Sequence, residues 1–343
     1  MRTISLLFCC GVILLLACEK DQPADPQEGF PALMEVPPGF PPLPEPEDNG
    51  FTSARWELGK RLFYDPVMSV DSSISCASCH DPALAFTDGR AVSLGVENRM
   101  GRRNAPSLAN VAYHPYFTRE GGVPTLEMQI LVPIQEHEEF DFNIVLLAKK
   151  LANDSTYVQM ANEAYGRQPD PFVITRSLAC FERSLLSGNS PYDQYLHQTT
   201  EQHTMTAAAL RGMELFFSEQ AKCSQCHGGF DFTDYRFANN GLYADYADPG
   251  RFRLTSNEAD RAMFKVPSLR NVALTAPYMH DGSIATLEGV IAHYNSGGQE
   301  HPNKSELIGP LGLQADEVQD LVAFLESLTD ESFIENPIFR KEE

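Results

Sequence analysis

The chain has 343 residues, with 26 Lys and Arg against 47 Asp and Glu, a formal charge of −21. That balance argues against a nucleic-acid partner and toward a basic or neutral docking partner. The eight cysteines offer no disulfide framework: three lie at the N-terminus, four form two Cys-x-x-Cys pairs, and only Cys180 is left over.

In chain order, Met1-Arg2, a mostly apolar run from Ile4 to Leu16, and Leu15-Leu16-Ala17-Cys18 read as a secretion signal too short to span a membrane. The small residue before Cys18 suits lipoprotein processing. The expectation is a signal peptide over 1–17, Cys18 as the lipidated first residue, and a location on the periplasmic side of the cell envelope. Residues 18–49 are Pro-rich and acidic, a composition that favours an extended tether. The globular part then begins near Gly50. Trp56, the only tryptophan, falls in the first helix and reads as core.

Cys76-Ala77-Ser78-Cys79-His80 and Cys223-Ser224-Gln225-Cys226-His227 repeat one pentapeptide 147 residues apart. Paired thiols followed directly by histidine attach haem through two thioethers and place an axial ligand on the same turn. One shared zinc or two redox dithiols would need no histidine after the second cysteine in both copies. Two covalent haem c groups are therefore expected, on Cys76, Cys79 and His80 and on Cys223, Cys226 and His227, which implies assembly outside the cytoplasm.

Helical periodicity marks Phe142 to Leu151, Phe172 to Leu186, Thr206 to Phe217, and Val318, Leu321, Val322, Leu325 and Leu328. Cys180 falls inside the second of these and reads as a buried core thiol. Convincing alternating strands are hard to find. Pro106-Ser107-Leu108-Ala109-Asn110-Val111-Ala112 recurs at Pro267 to Ala273, offset by 161 residues, and the same offset takes Gly121 to Gly282 and Thr125 to Thr286. The expected fold is mainly α, two tandem cytochrome c-like domains with one haem each, over 50–198 and 199–343.

The duplication makes the halves unequal at the open face of each iron. Tyr294 in the second half corresponds to Pro133 in the first; a phenolate can bind ferric iron and a proline cannot. Met279 and His293 compete with Tyr294 as ligands. Pro133 leads into Gln135-Glu136-His137-Glu138-Glu139, and a carboxylate over an open haem suits peroxide chemistry. Taken alone, Glu139 reads as a solvated carboxylate beside Glu136 and Glu138, and His137 keeps that surface reading.

Glu57 to Pro66, Ile74 to His80, Arg103 to Ser107, Lys265 to Asn271 and Ala276 to Gly282 together resemble the bacterial diheme cytochrome c peroxidase and MauG superfamily, over about residues 50–330. The resemblance implies that peroxide reacts at the N-terminal haem, with Glu139 as acid-base group and Gln129 as its positioning partner. It also implies one calcium ion between the domains, held by Asn104, Thr275 and Pro277. Where activation-dependent peroxidases carry a displaceable histidine, this chain has Val96, so the first haem is expected to be open without prior reduction; Met100 and His114 are the remaining local ligands. Tyr294 stands where MauG-like members use tyrosine and typical peroxidases methionine. Arg119 stands where the superfamily usually has an inter-haem tryptophan.

The expected activity is a MauG-like diheme peroxidase that reacts with hydrogen peroxide and oxidises a protein or aromatic substrate. A cytochrome c-dependent peroxide reductase is the alternative, and a non-catalytic diheme electron carrier a second. Expected partners are hydrogen peroxide and either a small cytochrome or cupredoxin or a protein substrate, with membrane contact only through the lipid and a monomeric or homodimeric state.

Overall fold

The computed structural model describes residues 34–199 and 204–341. The signal over 1–17, Cys18 and the first half of the acidic segment lie outside the described residues.

The first domain is built on α1 (Ser53–Tyr64), α2 (Leu126–Gln129), α3 (Leu131–Gln135), α4 (Ile144–Leu151), α5 (Ser155–Tyr165) and α6 (Pro171–Arg183). The Asp170 carboxylate caps α6 by accepting the Val173 N–H at 2.9 Å, and Pro171 follows where a missing N–H costs nothing. Helices α1 and α6 cross at Gly59, where an added Cβ would lie 1.9 Å from the Ser177 carbonyl oxygen. Only a glycine lets the two backbones approach this closely. Trp56, Phe63 and Phe181 pack over that crossing, and the Trp56 indole donates to Ser184 Oγ at 2.8 Å, as its core reading requires.

The second domain uses α7 (Pro191–His197), α8 (Ala207–Phe216), α9 (Phe252–Thr255), α10 (Leu287–Ser296), α11 (Ala315–Glu326) and α12 (Glu331–Ile334). Here α8 crosses α11 at Gly212, whose Cβ would lie 1.9 Å from the Asp320 carbonyl oxygen. Both domains therefore use the same glycine-mediated helix pair beneath the same motif. Strand structure among the described residues is limited to isolated bridges and the two-residue pair β1 (Phe237–Ala238) and β2 (Phe264–Lys265), antiparallel with Phe237 opposite Lys265.

The duplication is a repeat of geometry as well as letters. Phe117 bridges Val123 and Tyr278 bridges Ile284; Asn110 and Asn271 both hold φ near +60°; Thr125 and Thr286 both cap the helix that follows. Each pair is 161 residues apart. The halves part at the prolines: α10 runs unbroken through Tyr294, whereas the corresponding stretch is split into α2 and α3, with Pro133 inside α3.

Three segments depart from the expected domain plan. Residues 34–49 are docked rather than free: Phe40 packs on Tyr113 and Phe230, one from each domain, and the Tyr113 hydroxyl donates to the Pro41 carbonyl at 3.0 Å. Pro-rich composition is silent on this because the contacts are made by a few scattered residues, Phe40, Pro41, Asp48 and Asn49 among them. Helix α7, inside the span expected for the first domain, packs Tyr192 edge-to-face against Phe232 and Phe324 of the second core. At the C-terminus, Phe333 and Phe339 return to the first core against Phe86, at 5.5 and 6.4 Å between ring centroids.

Candidate active site

Each Cys-x-x-Cys-His motif forms a short 3₁₀ turn, Cys76–Ser78 and Cys223–Gln225. The turn returns the histidine toward its first cysteine, with His80 N–H on the Cys76 carbonyl at 3.0 Å and His227 N–H on the Cys223 carbonyl at 2.9 Å. His80 Nδ1 donates to the Phe86 carbonyl at 2.7 Å and His227 Nδ1 to the Phe232 carbonyl at 3.2 Å. Those bonds place the proton on Nδ1 and leave Nε2 unprotonated as the ligand atom of each ring. Burial lowers both imidazole pKa values, so both are neutral and able to bind metal. All four thiols are unbridged, and burial raises all four. Among the described residues no group of three or more His, Cys, Asp or Glu is placed to hold a metal ion, so the two pairs do not share one zinc.

The fold brings different groups to the two motifs. Glu139 lies close enough to Cys76 and Cys79 to disfavour their thiolates, and Cys223 and Cys226 lie close enough to Tyr294 to disfavour its phenolate. The Glu139 carboxyl is pushed up to about 7 by burial, aided by the neighbouring charges of Glu136 and Glu138. Glu138 is held down by its hydrogen bond to Glu136 and by Arg102, whose guanidinium reaches Glu138 at 2.7 Å. Gln129 Oε1 is buried without a hydrogen-bond partner in the protein. A buried orphan acceptor together with neutral imidazoles and unbridged thiols is the donor set a covalent haem completes.

At the second motif the competitors of Tyr294 are engaged elsewhere. His293 Nε2 lies 3.0 Å from the Asn240 carbonyl, and the Asn240 amide donates to Met279 Sδ at 3.3 Å. Burial raises the Tyr294 phenol, so ligation would have to displace its proton.

Val96 is fully buried and its N–H donates to the Glu139 carbonyl at 2.9 Å. Beside it, a Cβ on Gly95 would lie 2.1 Å from the Glu138 carbonyl oxygen. The loop that carries Val96 is thus clamped to the segment bearing Glu139. Of the alternative ligands, Met100 is 66% exposed, and His114 Nε2 faces Asp231 at 3.9 Å with Lys265 Nζ 3.3 Å from its Nδ1. His137 is an exposed partner of Asp141 and Arg99. Cys180 is buried in the core, its thiol pushed up to about 11 by burial.

Sequence reasoning missed the charged seam between the domains. Arg103 ties Asp248 at 2.6 and 3.0 Å and also pairs with Glu120. Buried Asp231, pushed up to about 6 by desolvation, accepts from Asn110 at 3.0 Å and from the Tyr235 hydroxyl at 2.8 Å. No periodic signal announces pairs formed between such distant stretches of chain. The expected calcium ligand set does not fit this seam: Asn104 Oδ1 accepts a hydrogen bond at 3.0 Å from the Arg119 guanidinium. Hard oxygen ligands suit calcium only when a cation does not already hold them.

Two unlike haem sites on one duplicated scaffold define a class, and comparison with known proteins places the chain in it. The family model for di-haem cytochrome c peroxidase matches residues 53–201 and that for cytochrome c residues 209–329. The methylamine utilization protein MauG of Methylorubrum extorquens is 36% identical over 293 residues, 84% of this chain and 82% of that protein. Cytochrome-c peroxidase IdrP1 of Denitromonas iodatirespirans is 34% identical over 362 residues, 96% and 93% of the two chains. A solved MauG-like protein associated with microbial copper homeostasis superposes with a TM-score of 0.84 at 36% identity, covering 89% of this chain and 98% of that one. The chain belongs to the di-haem cytochrome c peroxidase and MauG family. It is a peroxide-linked oxidoreductase that carries two haem c groups.

Proposed function

We propose that this chain is a MauG-like peroxidase, held on the periplasmic side of the envelope through Cys18, that uses hydrogen peroxide to oxidise a protein or aromatic substrate. The observation that carries the reading is the unequal pair of sites: a carboxyl raised to about 7 beside the first motif and a half-buried tyrosine beside the second. Cys76 and Cys79 would hold one haem with His80 as ligand, and Cys223 and Cys226 the other with His227 and Tyr294. When bound, the haems supply peroxide binding and electron storage.

The protein's own contribution at the first site is proton management. Ionised Glu139 takes a proton from the incoming peroxide oxygen and returns it to the departing one, which leaves as water. Its raised pKa suits both halves of that transfer near neutral pH. Gln129, whose amide oxygen is otherwise unpaired, orients the peroxide by a hydrogen bond. Val96, packed beneath the Glu139 backbone, keeps the loop from supplying a competing ligand.

Two measurements test the reading. Untreated ferric holoprotein is expected to show one high-spin and one low-spin component; wholly low-spin spectra would instead support an electron carrier with both irons capped. Reduced small cytochrome plus peroxide is expected to turn over no faster than with free haem, and sustained turnover would establish the cytochrome c peroxidase alternative, which the IdrP1 relative favours.

A further inference from the structure

Arg119 lies at the seam between the domains, and its guanidinium is committed to Asn104. Its Nη2 donates to the Asn104 carbonyl at 2.7 Å and to Asn104 Oδ1 at 3.0 Å, while Nε reaches the same carbonyl at 3.2 Å. One guanidinium thus grips both oxygens of one residue, a geometry its planar fork favours. Asn104 is itself fixed. Its amide nitrogen donates to the Arg90 carbonyl at 2.9 Å and its backbone N–H to the His280 carbonyl at 2.9 Å, so Oδ1 is committed to the guanidinium side.

Arg119 is pinned from the other domain too, because its carbonyl accepts the Lys265 N–H at 2.7 Å. Burial and the neighbouring Arg103 lower the Arg119 pKa to about 10, partly offset by the carboxylates of Asp281, Glu120 and Asp248. Arg119 thus places a buried guanidinium beside Asn104, near the Arg103 charge that already pairs with Asp248 and Glu120. A calcium ion bound to Asn104 Oδ1 would sit 2.3–2.6 Å from an oxygen that a guanidinium already approaches at 3.0 Å. Two cations would then compete at close range for one ligand oxygen.

We propose that the Arg119 guanidinium holds the Asn104 side-chain oxygen in place of a metal ion, and that this chain binds no calcium there.

The test uses the full-length holoprotein, desalted after EGTA treatment. Elemental analysis is expected to find calcium far below one ion per chain. Titration with calcium chloride should give no binding heat in the micromolar range, and the unfolding midpoint should be the same in EGTA as in calcium. A stoichiometric ion that survives desalting, or a midpoint that falls in EGTA, overturns the proposal. Arg119→Gln, which keeps an amide donor but removes the charge, is expected to unfold at a lower temperature than wild type in EGTA, while Arg119→Lys recovers part of the loss. An unchanged midpoint for Arg119→Gln also overturns it. Should that variant fail to fold, the wild-type calcium content and EGTA response decide the question alone.

Discussion

At the scale of single residues, the chemistry rests on where the chain leaves a group unsatisfied. Glu139 is a carboxyl that burial makes reluctant to ionise, and its pKa of about 7 sets a pH profile. Because the ionised form is the base, the rate constant for reaction with peroxide should fall about tenfold per pH unit below about 7 and level off above it. Stopped-flow spectra across pH 5–9 measure this. Glu139→Gln should flatten the profile and slow the reaction roughly 10²–10⁴-fold, while leaving the resting spectrum nearly unchanged; an unaltered rate would remove Glu139 from catalysis. Tyr294→Phe keeps the ring and removes the oxygen, so the second haem should lose its low-spin ferric signal in electron paramagnetic resonance. Persistence of that signal would pass the ligand role to another residue.

At the scale of elements, both domains stand on helix crossings that no other residue type permits. In Gly59→Ala the new methyl would meet the Ser177 carbonyl oxygen at 1.9 Å, and in Gly212→Ala the Asp320 carbonyl oxygen at 1.9 Å. Neither obstacle is a movable side chain, so the helices must separate. Overpacking of this kind costs about 3 kcal/mol, against about 1 kcal/mol gained from the better helix former. A net loss of about 2 kcal/mol in denaturant melts is expected for each variant, and a neutral effect would show that the crossings can slide.

Much at this scale was legible in the sequence because it is local: haem attachment sits in five residues, α11 in an i, i+3, i+4, i+7 pattern, and the unequal halves in the alignment of Tyr294 with Pro133. What was not legible depends on distance in the chain. Phe40 reads as part of a tether until Tyr113 and Phe230 are seen beside it. Arg119 reads as the loss of an aromatic until its contact with Asn104 shows the charge it supplies.

At the scale of the whole molecule, the two domains are bound by exchange of segments as well as by the seam. The strap around Phe40 touches both domains, and the C-terminal Phe333 and Phe339 leave the second domain to close the first. Their target, Phe86, also supplies the carbonyl that accepts from His80 Nδ1 at 2.7 Å. The C-terminus therefore buttresses the residue that orients the proximal histidine of the other domain, so folding of the second domain supports the first site. Phe333→Ala opens a cavity directly behind Phe86, and truncations of buried phenylalanine cost about 3–5 kcal/mol. The variant should unfold earlier, with the first haem's absorbance changing before the second's, whereas the wild type should melt both together. If the two haem signals instead shift equally, the tail serves the whole fold rather than the first site, and the coupling through Phe86 is wrong.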